Sequence, residues 1–332
     1  MENELVLDVQ GLTVYYETDE GIAKAVNNLD ITLKKGYTLG LVGETGSGKT
    51  TTALAILRLV PNPPGKIKAG KIYLNGTDIL RLTEKEMDTQ VRGSEVSMIF
   101  QDPMTSLNPV LTVEYQIAEA IQSHQKVSNA EASAKAKELL ELVGIPAERA
   151  SEYPHQFSGG MKQRVIIAIA LACNPQILIA DEPTTALDVT IQAQILEVMK
   201  DLRTKLGMSM IMITHDLGIV AEVCDEVSVI YAGKIVEHGS IRDVFKNTLH
   251  PYTEGMFRSL PQINDDREFL MPIPGMMPDP MELPEGCAFE PRCSYACDRC
   301  KHEAPEKRYV NDSHYVACFA YDNPKFALKG DD

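Results

Sequence analysis

The residues Gly43-Glu44-Thr45-Gly46-Ser47-Gly48-Lys49-Thr50 fit the spacing G-x-x-x-x-G-K-[ST], which is built to hold phosphate. Glycines let main-chain N–H groups converge on phosphate oxygens, and the start of the following helix adds partial positive charge. In such a loop Lys49 reaches the β- and γ-phosphates, the Thr50 hydroxyl is a ligand for Mg²⁺, and Thr51 continues the helix start. A second reactive centre is the apolar run Ile177-Leu178-Ile179-Ala180, which ends in Asp181-Glu182. Asp181 suits Mg²⁺ held through water, and Glu182 suits orienting and activating an attacking water. His215 closes another apolar run, Ile211-Met212-Ile213-Thr214, where it would contact a γ-phosphate from a third side.

Placing these groups together requires strands that end at one edge and helices between them. Strand-like runs occur at residues 5–10, Lys71–Leu74, Glu95–Phe100, Ile177–Ala180, Ser209–Thr214 and Val227–Tyr231. Two of them, Ile177–Ala180 and Ser209–Thr214, are nearly continuous in apolar character, as expected of parallel strands covered on both faces. Helical patterns lie between them, at Thr51–Leu59, Ala130–Val143 and Ile191–Leu206, so the expected class is α/β. The stretch from Pro103 to Leu171 reads as mostly helical and predicts an inserted helical subdomain over about 103–170. After about residue 246 prolines accumulate (Pro261, Pro272, Pro274, Pro278, Pro280, Pro284) and periodicity fades. The expectation there is a tail module held by loops and a metal site more than by a large core.

With 332 residues, 44% hydrophobic and 24% charged, the chain has ordinary globular composition. The longest apolar run, Val165 to Cys173, is about half of what a membrane span needs. The N-terminal residues lack the basic start and apolar core of a signal peptide, and a cytosolic location is expected. A net charge of -15 argues against broad nucleic-acid binding but not against a nucleotide held by local donors. Cys287, Cys293, Cys297, Cys300 and Cys318 crowd the tail, and in a reducing compartment that clustering suggests metal more than disulfides.

In order along residues 5–245, these and further segments resemble the ATP-binding subunits of ABC transporters. Tyr16 stands where that family places an adenine-stacking ring, with Tyr15 as the competing candidate. Gln101, in Ile99-Phe100-Gln101-Asp102-Pro103, resembles the Q-loop that senses Mg²⁺ and touches the membrane partner. Phe157-Ser158-Gly159-Gly160-Met161 is similar to the LSGGQ signature, with Phe157 and Met161 departing from it as in the peptide-importer branch. Ala186-Leu187-Asp188 resembles the D-loop and His215 the switch histidine. The resemblance implies a P-loop NTPase (RecA-like) core with an antiparallel β subdomain and the helical insertion, spanning 1–245. It also implies a head-to-tail dimer, in which Ser158, Gly159, Gly160, Met161 and Asp188 complete the ATP site of a partner subunit.

His250-Pro251-Tyr252-Thr253 and the later cysteine spacing resemble the C-terminal extension of oligopeptide and dipeptide importer ATPases, here 246–332. In some members four cysteines, corresponding to Cys287, Cys293, Cys300 and Cys318, ligate a [4Fe–4S] cluster. Cys297-x2-Cys300 is also a zinc half-site, so structural Zn²⁺ is the alternative. The implied subunit is D-type, pairing with an F-type ATPase chain. It would sit peripherally on the cytoplasmic face of the cell membrane, bound to two transmembrane permease subunits that an extracytoplasmic substrate-binding protein serves. Peptide is the expected cargo; oligosaccharide or other small-solute cargo, or a soluble non-transport ABC ATPase, are the alternatives.

Overall fold

A computed structural model describes residues 4–101, 106–185, 187–260, 272–322 and 328. Asp102 and Pro103 of the Gln101 segment, Ala186 beside Leu187–Asp188, and Pro261 lie outside the described residues. In chain order the strands are β1 Leu5–Thr18, β2 Gly21–Lys34, β3 Thr38–Val42, β4 Gly65–Leu74, β5 Thr77–Asp78, β6 Val96–Ile99, β7 Ile177–Asp181, β8 Ser209–Thr214, β9 Glu226–Tyr231, β10 Lys234–Ser240, β11 Arg308–Tyr309 and β12 Tyr315–Val316. The helices are α1 Lys49–Ile56, α2 Glu84–Glu86, α3 Val113–His124, α4 Asn129–Leu142, α5 Gly159–Ala170, α6 Val189–Leu206, α7 Leu217–Val223, α8 Ile241–Lys246, α9 Pro251–Arg258 and α10 Asp298–His302. They fall into two compact units, one of Met1–Leu7, Leu33–Thr38 and Tyr73–Ile213, the other of Asp8–Thr32, Leu39–Ile72 and Thr214–Asp332.

The first unit carries three parallel strands. β6 pairs β7 with Val96 opposite Ile177, and β7 pairs β8 with Ile177 opposite Ser209 and Asp181 opposite Ile213. Every residue of β7 is buried, which explains its unbroken apolar run: helices cover both faces of such a strand. Helices α3, α4 and α5 pack on one another, supplying the helical stretch. Their starts are written in the sequence. Thr112 caps α3, and Ser128 with Glu131 forms a reciprocal capping box at α4, satisfying N–H groups that no helical carbonyl can reach.

In the second unit β3 runs parallel to β9, with Leu39 opposite Glu226 and Val42 opposite Val229. β9 turns into antiparallel β10, and the tail then extends the sheet, since β12 pairs β10 with Glu237 opposite Val316. The core of this unit joins Val42, Val229, Tyr231 and Val236 to Tyr252 and Phe289 of the tail. So the region after residue 246 is held by apolar packing and strand pairing as well as by loops. The buried Glu237 carboxylate is matched in kind: it accepts from the Leu249 and His250 N–H groups at 2.8 and 2.9 Å and lies 3.0 Å from His314 Nε2. His250 is fully buried, and burial holds its pKa down to about 3, so it stays neutral at physiological pH.

Candidate functional site

In the second unit, fully buried β3 delivers the chain into the loop 43–48 and then into α1. Gly43 and Gly48 are fixed by steric need. A Cβ on Gly43 would lie 2.2 Å from the Ile230 carbonyl oxygen; one on Gly48, whose φ is +105°, would lie 2.5 Å from that of Ala25. Only glycine fits both places without moving backbone. The Gly233 N–H donates to the Ser47 carbonyl at 2.8 Å, and Asn27 N–H in turn donates to Gly233 at 2.9 Å. Lys49 is 6% exposed, and its ammonium donates to the carbonyls of Gly43 and Glu44 at 2.8 and 2.9 Å.

No side chain caps α1 and no acid stands in its first turn, which leaves that end electropositive. The buried Ser47 Oγ has no hydrogen-bond partner among the described residues. An orphaned hydroxyl beside uncapped N–H groups and a buried ammonium suits a polyanion. Thr45 and Gly46 are exposed, and Thr50 is half-buried. The Tyr16 hydroxyl lies 3.4 Å from Thr51 Oγ1. His215 is exposed, directly after β8.

In the first unit β7 ends on Asp181, which is 1% exposed. Glu182 follows with a left-handed backbone, φ 49°, a conformation costing a non-glycine residue about 1–3 kcal/mol. Its N–H is held by the Ile213 carbonyl at 2.9 Å. Its Oε2 accepts from Gln101 Nε2 at 3.2 Å and from Thr185 Oγ1 at 3.0 Å. Gln101 and Glu182, 81 residues apart in sequence, therefore touch.

The same unit holds Phe157–Met161. Ser158 is the N-cap of α5, its Oγ accepting from the Met161 N–H at 3.4 Å. The helix thus starts at Gly159. Asp188 caps α6 in the same manner, accepting from the Ile191 N–H at 3.0 Å. Sequence reasoning missed Arg149. Its guanidinium lies over the Phe157 ring at 4.6 Å and reaches Met161 Sδ at 3.2 Å. It is held there by Glu152, through contacts of 3.0 and 2.6 Å, and that pairing draws the Glu152 carboxyl below its usual pKa. Both departures from the LSGGQ pattern thus meet one cation. No spacing rule links residue 149 to them; the contact exists only in three dimensions.

In the tail, Cys287, Cys293, Cys297, Cys300 and Cys318 line a single cavity of about 490 Å³ together with His250, Tyr295 and Arg299. Burial pushes the Cys293 thiol up to about 11 and the Cys318 thiol up to about 12. Cys297 is exposed, its Sγ 3.5 Å from that of Cys300. Among the described residues no group of three or more His, Cys, Asp or Glu side chains gathers closely enough to hold a single metal ion. No helix among them is long and apolar enough to cross a membrane.

The ABC transporter family matches residues 26–185, and the C-terminal region of oligopeptide/dipeptide transporters matches residues 236–300. The chain is 52% identical over 314 residues to the oligopeptide transport ATP-binding protein OppD of Bacillus subtilis, covering 94% of this chain and 87% of that one. It is 48% identical over 321 residues to the dipeptide transport ATP-binding protein DppD of the same organism, covering 96% of each. Among solved structures it resembles the dimeric ATP-binding cassette MJ0796 bound to ADP and Pi, with a TM-score of 0.63 and 28% identity over 71% of this chain and 99% of that one.

Proposed function

Since the chain belongs to the ATP-binding subunits of ABC transporters, in their oligopeptide/dipeptide branch, we propose a role for each of its site residues in ATP-driven peptide uptake. The observation that carries the reading is the continuity of the match, which runs through both the cassette and the C-terminal region. The chain hydrolyses ATP as the motor of a peptide importer.

The loop Gly43–Thr51 takes the triphosphate, with main-chain N–H groups and Lys49 offsetting its charge. The buried Lys49 and the orphaned Ser47 hydroxyl support this. Tyr16 stacks on the adenine, and its closeness to Thr51 supports it over Tyr15. Mg²⁺, when bound, offsets charge on the β- and γ-phosphates; Thr50, Gln101 and Asp181 would hold it, and the buried Asp181 carboxylate suits a hard cation. Glu182 is the base that orients water toward the γ-phosphorus, held by Gln101 and Thr185, while His215 contacts the γ-phosphate. Ser158, Gly159, Gly160, Met161 and Asp188 serve the ATP site of a neighbouring subunit. The neighbour is an F-type ATPase chain, and binding of ATP between the two closes the pair by differential affinity for the closed state.

The chain works peripherally at the cytoplasmic face of the membrane, against two permease subunits fed by an extracytoplasmic binding protein. The test is uptake of a labelled oligopeptide into vesicles reconstituted with all subunits. Uptake is expected only with hydrolysable ATP inside, and an oligosaccharide of similar size is expected to stay out. Transport of the oligosaccharide alone would reassign the cargo.

Cys287, Cys293, Cys300 and Cys318 hold a [4Fe–4S] cluster. Thiolates suit iron–sulfur chemistry, and all four thiols line one cavity of about 490 Å³. Anaerobic purification is expected to yield iron and acid-labile sulfide in equal amounts, lost in Cys293→Ser. One equivalent of zinc without iron would overturn this assignment.

A further inference from the structure

Glu44 is the first variable residue of the phosphate loop, and three of its contacts come from the far end of the chain. Its N–H donates to the Tyr252 hydroxyl at 2.8 Å. Its carboxylate accepts from Arg292 through two parallel bonds, Nη1 to Oε2 at 2.8 Å and Nη2 to Oε1 at 3.0 Å. The carbonyl of the same residue receives the Lys49 ammonium at 2.9 Å. One residue therefore joins Arg292 to the lysine that meets phosphate.

Arg292 is itself immobilised. Its side chain is 5% exposed; Nε donates to the Pro274 carbonyl at 2.8 Å and Nη1 to the Tyr231 hydroxyl at 3.3 Å. A fork of this kind fixes a carboxylate in distance and in plane, as a lysine would not. An exposed ion pair would be worth little, but this one is largely withdrawn from water on the arginine side. Arg292 also directly precedes Cys293, which lines the cysteine cavity.

We propose that Arg292 is a positioning residue of the phosphate loop, through which the C-terminal region sets the affinity for ATP. The inference rests on the assignment of Gly43–Thr51 as the ATP loop and goes beyond it. Without the guanidinium, Glu44 keeps its sequence position but loses its orientation. The loop then samples conformations in which its N–H groups and Lys49 no longer converge, and ATP must select the competent fraction.

The experiment titrates the full-length chain with a fluorescent ATP analogue in Mg²⁺ and compares wild type, Arg292→Gln, Glu44→Gln and the double variant, with thermal unfolding of each. Each single change is expected to weaken binding about tenfold. Turnover of the Arg292→Gln chain at saturating ATP in the assembled transporter should stay close to wild type. The double variant should bind no worse than the weaker single, because both changes remove one interaction. Arg292→Lys, with charge but no fork, should fall between wild type and Arg292→Gln. Binding within twofold of wild type in both singles, or losses that simply add, would overturn the proposal. Should Arg292→Gln fail to fold, Glu44→Gln decides alone, since the Glu44 side chain is 33% exposed and its replacement spares the core. A wild-type chain that binds no nucleotide would remove the ATP-loop assignment itself, and the inference with it.

Discussion

Glu182→Gln is expected to bind ATP with nearly wild-type affinity and to hydrolyse it about 10²- to 10⁴-fold more slowly, the range lost with a general base. The substitution keeps size and shape. Thr185 Oγ1 and Gln101 Nε2, which now donate to Oε2, can still meet the amide oxygen. The backbone at φ 49° treats Glu and Gln alike, so fold stability should change little. What disappears is the negative charge and the capacity to accept a proton from water. ATP then persists where it would have been cleaved, and dimers closed by ATP should accumulate on size exclusion. Steady-state phosphate release checks the first claim. Turnover within twofold of wild type would take Glu182 out of its assigned role.

The strained conformation of Glu182 also shows where sequence was informative and where it was not. The run Ile177–Ala180 is legible because a strand buried on both faces has no polar positions to spare, and the parallel pairing of β7 with β6 and β8 agrees. The phosphate loop is legible because two glycines there are forced by carbonyls within 2.5 Å of where a Cβ would sit. A constraint so local leaves its mark in a short motif.

The tail is the opposite case. Its prolines and fading periodicity conceal that Tyr252 and Phe289 are buried against Tyr231, with ring centroids 4.7 and 5.2 Å away. They also conceal that β12 extends the sheet from β10. Each of those contacts joins residues far apart in the chain, and neither follows a period of two or 3.6. Arg149, and the pairing of Arg292 with Glu44, escaped notice for the same reason. A cation's partner is set by where the backbone brings it, and no recognisable spacing ties Arg149 to Phe157 and Met161 or Arg292 to Glu44. The cysteines lie between these extremes, since their types and clustering were plain but their common cavity was not.

Lys49→Ala should weaken ATP binding severely where Glu182→Gln spares it. Lys49 is 6% exposed, and its ammonium is held by two carbonyls of its own loop, so it meets an incoming phosphate already positioned and largely desolvated. Removing one partner of a buried charge contact costs about 2–5 kcal/mol, which corresponds to roughly thirtyfold to several-thousandfold in affinity. The loop itself should survive the change. Its path is fixed independently by the Gly233 N–H on the Ser47 carbonyl, by Tyr252 and by Arg292, none of which involves the lysine side chain. Loss of ATP binding with an unchanged thermal transition is therefore the expected pair of results, read by titration and by calorimetry on the same sample. If affinity fell only because the protein unfolded, the two readings would move together, and the ammonium would have been a strut of the loop instead of a ligand for phosphate.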